Sequence, residues 1–128
     1  MTTTFEDLIA WQRARVFIKH VYQITKTFPD DERFGLISQF RRAAVSIGAN
    51  IAEGYKRMGK DDKLRFFNYS QGSLEECRCY IILSGDLGYI NEHEATNLTA
   101  EIEDTSRLLN SYIQAITNKK IQEQYPSM

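Results

Sequence analysis

The residues suited to chemistry in this sequence are few. His20, His93, Cys77 and Cys79 are its only imidazoles and thiols. A di-iron centre in a helical bundle needs inward glutamates and Glu-x-x-His pairs, and neither histidine has a glutamate three positions before it. One Cys-x-Cys pair and two scattered histidines also lack the ligand spacing of a zinc site. No metal or other cofactor is expected. On a helix the two thiols fall about 200° apart around the axis, too divergent to bridge each other readily. Both are expected to be buried and reduced. No nucleophile elbow occurs, and Gly48 and Gly54 lie within a helical pattern instead of joining a strand to a helix. The expectation is a non-enzyme with no catalytic residue and no small-molecule substrate.

Cations offer more. The formal net charge is −1 and the isoelectric point about 6.1, yet the charge is unevenly distributed. Residues 33–65 hold eight basic side chains (Arg33, Arg41, Arg42, Lys56, Arg57, Lys60, Lys63, Arg65) against Glu53, Asp61 and Asp62, a balance of +5. Residues 91–128 hold three basic and six acidic residues, a balance of −3. Such asymmetry guides self-assembly or contact with a polyanion. Arg41, Arg42, Lys56, Arg57, Lys60, Lys63 and Arg65 are the candidate phosphate contacts, concentrated at 56–65. The neighbouring aromatics Tyr55, Phe66, Phe67 and Tyr69 have helical spacing and read as core.

These residues must be positioned by helices. Ala10, Ala14, Phe17, Val21, Ile24 and Phe28 alternate steps of four and three, which predicts an amphipathic helix over 6–27. Phe28-Pro29 ends it, because a residue before proline avoids helical backbone. A second helix is expected over 32–57, with acidic residues at its positive end and Gly59 just beyond it. A third is expected over 62–87, with Gly88 as its left-handed cap. A fourth over 92–118 opens on an Asn91–Glu94 capping pair, leaving 119–128 to fray. Only two prolines occur, Pro29 and Pro126. The 128 residues read as one domain, 1–128, and four helices with short connections imply an antiparallel up-down-up-down four-helix bundle. No stretch nears the roughly 18 uninterrupted apolar residues of a membrane span. MTTTFEDLIAWQR lacks the pattern of a signal peptide, so the expected location is the cytoplasm.

The second helix raises a question, since glycine inside a helix costs about 1 kcal/mol relative to alanine. On a helical wheel Leu36, Ile37, Phe40, Ala43, Ala44, Ile47, Ile51 and Tyr55 form an apolar arc. Gln39, Arg42, Ser46, Asn50, Glu53 and Arg57 form a polar stripe. Ser38, Val45, Gly48, Ala49 and Ala52 form a third face whose small side chains admit a close neighbour. That neighbour is another helix of the same bundle or another subunit; two low-charge faces on one helix point to the subunit. The candidate oligomer interface is Val45, Gly48, Ala49 and Ala52, with Asn50 and Glu53 bonding across it.

Phe5, Leu8, Trp11, Val21-Tyr22, Phe28-Pro29, FGLISQFRRAAVSIGANIAEG (34–54) and GSLEE (72–76) resemble the bacterial family of 23S ribosomal RNA intervening-sequence proteins. The likeness covers residues 5–90 and extends loosely through the fourth helix. It implies a left-handed bundle assembled as a ring-like homopentamer, similar to the accessory variability protein of diversity-generating retroelements, which engages nucleic acid and a reverse transcriptase. Those relatives are strongly basic, whereas this chain is not. For most of the family the biochemical function is undefined. Expected partners are therefore further copies of the chain and RNA or DNA. The alternative is a protein-interaction scaffold that offers its acidic fourth helix to a basic protein.

Overall fold

The computed structural model describes the backbone of residues 4–124 and the side chains of residues 4–118. Four helices, α1 (Ile9–Thr25), α2 (Leu36–Lys56), α3 (Lys60–Asp86) and α4 (Glu92–Gln124), account for most of it. Among the described residues there is no strand, and no helix is long and apolar enough to cross a membrane. Each helix packs on the two that neighbour it around a ring, α1 on α2, α2 on α3, α3 on α4 and α4 on α1. This is the up-down-up-down four-helix bundle that the spacing predicts. Phe17, Phe40, Phe67, Ile47, Ile51, Ile81, Leu98, Ile102 and Leu109 fill its centre.

The helix ends follow local chemistry. Residues 5–7 form a short 3-10 turn before α1, in which Thr4 Oγ1 accepts from the Glu6 amide at 3.2 Å. Asp30–Glu32 form another 3-10 turn, so α2 begins at Leu36, four residues later than expected. The interruption is Gly35, whose backbone lies outside the helical region (φ −109°, ψ −114°). Glu32 folds over it and accepts from the Leu36 amide at 3.2 Å. At the far end Arg57 is already extended, and Gly59 caps the start of α3 instead of closing α2.

Gly88 has φ +78°, and the Tyr89 amide reaches back to the Ser84 carbonyl at 2.9 Å, the close expected of a left-handed glycine cap. Asn91 and Glu94 exchange side chain-to-amide bonds of 2.8 and 2.9 Å, a reciprocal capping box. The backbone stays helical over 119–124, past the expected end at 118; the fraying expected of 125–128 lies outside the described residues.

Both glycines of α2 admit a neighbouring helix of the same chain. A Cβ on Gly54 would lie 2.5 Å from Phe67 Cε1 of α3, and one on Gly48 would lie 3.1 Å from Ile18 Cδ1 of α1. Farther along the α2–α3 seam, Ser70 Oγ donates to the Ile47 carbonyl at 2.9 Å and Ser73 Oγ to Ser46 Oγ at 3.0 Å.

Candidate nucleic-acid interface

The seven cations singled out by their position in the sequence do different things. Arg41 donates to Thr25 Oγ1 (2.8 Å) and to the Tyr22 carbonyl (3.3 Å) and stacks on the Tyr22 ring. It thereby satisfies polar groups at the C-terminal end of α1, where a positive charge is also favoured by the helix dipole. Lys63 does the same for α2. Its ammonium donates to the carbonyls of Tyr55 (2.6 Å) and Gly54 (3.3 Å), and burial lowers its pKa from the ordinary lysine value. Arg41 and Lys63 therefore serve the fold and leave the candidate phosphate-binding set.

Five cations remain. Arg57, just past the end of α2, and Arg65 of α3 meet on one ring. Their guanidinium carbons lie 4.5 and 5.0 Å from the centre of Phe66. Each is also held by a carboxylate, Arg57 by Glu53 at 3.2 Å and Arg65 by Asp62 at 3.0 Å. Exposed guanidinium-aromatic contacts contribute about 0.5–1 kcal/mol, enough to orient both groups. Lys56 is exposed and Lys60 half-buried at the same turn, and Arg42 is exposed farther along α2; none of the three makes an ion pair or hydrogen bond among the described residues. The turn also carries Met58, which is 97% exposed. Expecting the aromatics here to be core holds for Phe67 but not for Tyr69, which is 50% exposed and stands edge-on to Phe66 at 5.6 Å. Phe66 and Tyr69 lie off the stripe of Phe67, Leu74, Cys77 and Ile81, a signal that the heptad-like spacing already contained.

The candidate assembly face also divides. Gly48 is buried beneath Trp11 and Ile18 of its own chain, so it is a contact of α1 with α2 and not available to another subunit. Val45 (42% exposed) and Ala49 are open to solvent and Ala52 is half-buried. Asn50 donates to the carbonyl and Oγ of Ser46, both at 2.9 Å, and Glu53 is the partner of Arg57. The outer stripe of α2 is thus Val45, Ala49 and Ala52 without the glycine.

The other side of the bundle differs in character. A shallow groove of about 480 Å³ runs between α1 and α4, lined by Arg13, Val16, Ala100, Glu101, Glu103, Asp104 and Arg107. Its charges are satisfied locally, Arg13 and Arg107 on Asp104, and His20 lies 3.1 Å from both oxygens of Glu101. No cluster of three metal-ligating side chains occurs among the described residues. Cys77 is buried, which pushes its thiol up to about 12, whereas Cys79 is exposed on the outer face of α3, contrary to the expectation that both thiols lie inside.

The model of the family described as 23S rRNA-intervening sequence protein matches residues 6–111. Among proteins with curated descriptions, none matches the chain. The fold is similar to the crystal structure of a protein with unknown function from the S23 ribosomal protein family of Bacteroides thetaiotaomicron. The TM-score is 0.76 at 21% identity, covering 82% of this chain and 98% of that one.

Proposed function

The chain belongs to the 23S rRNA-intervening sequence protein family, and on that premise we propose that it is a non-enzymatic, cytoplasmic homo-oligomer, a homopentamer, that binds RNA or DNA at the α2–α3 turn. Lys56, Arg57, Lys60 and Arg65 contact phosphates there. Arg42 extends the positive surface along α2. The observation that carries this reading is the pair of guanidinium groups from the two sides of the α2–α3 turn oriented on Phe66, in the same turn that carries Lys56 and Lys60. Positive groups fixed in place lose little entropy when they meet a polyanion, and a ring of copies multiplies their field. The outer stripe of Val45, Ala49 and half-buried Ala52 supports assembly, because its small side chains let a second copy approach α2 closely.

Two measurements test this. Retardation of a labelled polynucleotide in a gel should weaken steeply with salt. The quadruple change Lys56→Gln, Arg57→Gln, Lys60→Gln, Arg65→Gln should flatten the salt dependence by roughly 0.7–0.9 in log–log slope for each phosphate that the variant no longer neutralises. Native mass spectrometry should give five chains, and Ala49→Glu should yield monomers with unchanged helical circular dichroism. No retardation at low salt, together with a protein that co-purifies at fixed stoichiometry, overturns the reading in favour of a scaffold. A monomeric unaltered chain overturns the assembly.

A further inference from the structure

From the aromatic residues at the α2–α3 turn we infer that the site takes a single strand in preference to a duplex, with Tyr69 as the platform on which an unpaired base stacks. This rests on the nucleic-acid reading above and specifies its ligand. Charge alone does not distinguish strand number, since lysine and arginine meet the phosphates of either form. An aromatic face does distinguish them. The faces of paired bases are covered by their neighbours in the stack, and only an unpaired base can lie on a side chain.

Three features make Tyr69 that side chain. It is half exposed, at 50%, and among the described aromatic residues of the turn none is so open. It stands edge-on to Phe66, with centroids 5.6 Å apart and planes at 85°, so its ring already rests against the residue that gathers the arginines. The same Phe66 carries the guanidinium groups of Arg57 and Arg65 at 4.5 and 5.0 Å. Phe66 is occupied by those cations and is not itself a platform. It brings phosphate-binding groups and stacking ring together on one side chain, so a backbone held by the arginines places its base beside Tyr69. The nearby carboxylates of Glu53 and Asp62 each hold an edge of one guanidinium, which keeps both planes in place when no strand is bound.

Fluorescence anisotropy of the full chain tests this, with a labelled oligothymidylate or oligouridylate of about 20 nucleotides and a hairpin duplex of equal phosphate number, at about 50 mM salt. The single strand should bind more tightly. Tyr69→Ala should weaken it by about 5- to 150-fold, the range for removing one stacked base, and leave the duplex unchanged. Tyr69→Phe should restore single-strand binding, and Lys56→Gln with Lys60→Gln should weaken both ligands. Equal binding of the two forms, with no effect of Tyr69→Ala on either, overturns this inference and leaves the proposed function intact. Failure of the unaltered protein to bind either form overturns the proposed function and this inference with it.

Discussion

The α2–α3 seam and the α1–α4 seam solve the same packing problem with opposite chemistry. Between α2 and α3 the helices approach across Gly54, Ser46, Ser70 and Ser73, with the Phe67 ring against the glycine backbone. Between α1 and α4 the approach is looser, a groove opens, and Arg13–Asp104 and His20–Glu101 reach across it. The first seam depends on shape, and a Cβ added at Gly54 would collide with the Phe67 ring. The second depends on half-exposed polar contacts, of which an ion pair such as Arg13–Asp104 contributes about 0–1 kcal/mol. The difference explains where a binding surface can be rigid. Phe66, the ring that aligns Arg57 and Arg65, adjoins Phe67 of the tight seam.

Substitutions can break or sharpen this contrast. The largest effect is expected from Gly54→Ala. Its Cβ would overlap the Phe67 ring at 2.5–2.7 Å, so the roughly 1 kcal/mol gain in helix propensity is outweighed by overpacking, for a net loss of about 1–3 kcal/mol in urea unfolding. Asp104→Asn in the looser seam should cost no more than about 1 kcal/mol, and less as salt is added. Gly48→Ala should be the mildest, within about 0.5 kcal/mol of zero, because the atom it meets is the far end of the Ile18 side chain and the helix gains propensity. If Gly48→Ala were as damaging as Gly54→Ala, the two sides of α2 would be equally tight and the contrast would fail.

A pH titration probes the end of the bundle where both seams are tied together. Tyr89 donates to Glu32 at 2.8 Å, linking the α3–α4 connection to the α1–α2 connection, and this bond, followed by burial and the charges of Glu32 and Asp31, raises the phenol's pKa above its ordinary value near 10. A raised acid pKa means that the folded chain holds its proton longer than the unfolded one. The contribution is therefore fully present below about pH 10 and lost as pH rises through the raised value. Thermal melts of the unaltered protein should show an alkaline loss, and Tyr89→Phe should reduce it, leaving the share of Tyr80, Tyr112 and Cys77, which burial also raises.

Much of the architecture was legible in the order of residues. Four periodic segments, the Asn91–Glu94 box and Gly88 act within a few neighbouring positions, where the code is local. What depended on the neighbouring helices was not legible. Gly48 lies at the margin of the apolar arc, and only the placement of α1 decides that Trp11 and Ile18 cover it. Arg41 and Lys63 read as surface cations until the ends of α1 and α2 are placed within their reach. Gly35 delays the start of α2 through its backbone conformation, which no spacing rule reports. The pairing of Arg57 with Arg65 on Phe66 likewise needed the geometry of the turn between α2 and α3.

The most direct test compares the two seams in one experiment, by hydrogen–deuterium exchange of the full chain with and without single-stranded polynucleotide. Protection confined to residues 53–69 at the α2–α3 turn, with exchange along 100–107 of the α1–α4 groove unchanged, is the expected result. Protection along the α1–α4 groove, or none at the α2–α3 turn under conditions where the strand is bound, would contradict it.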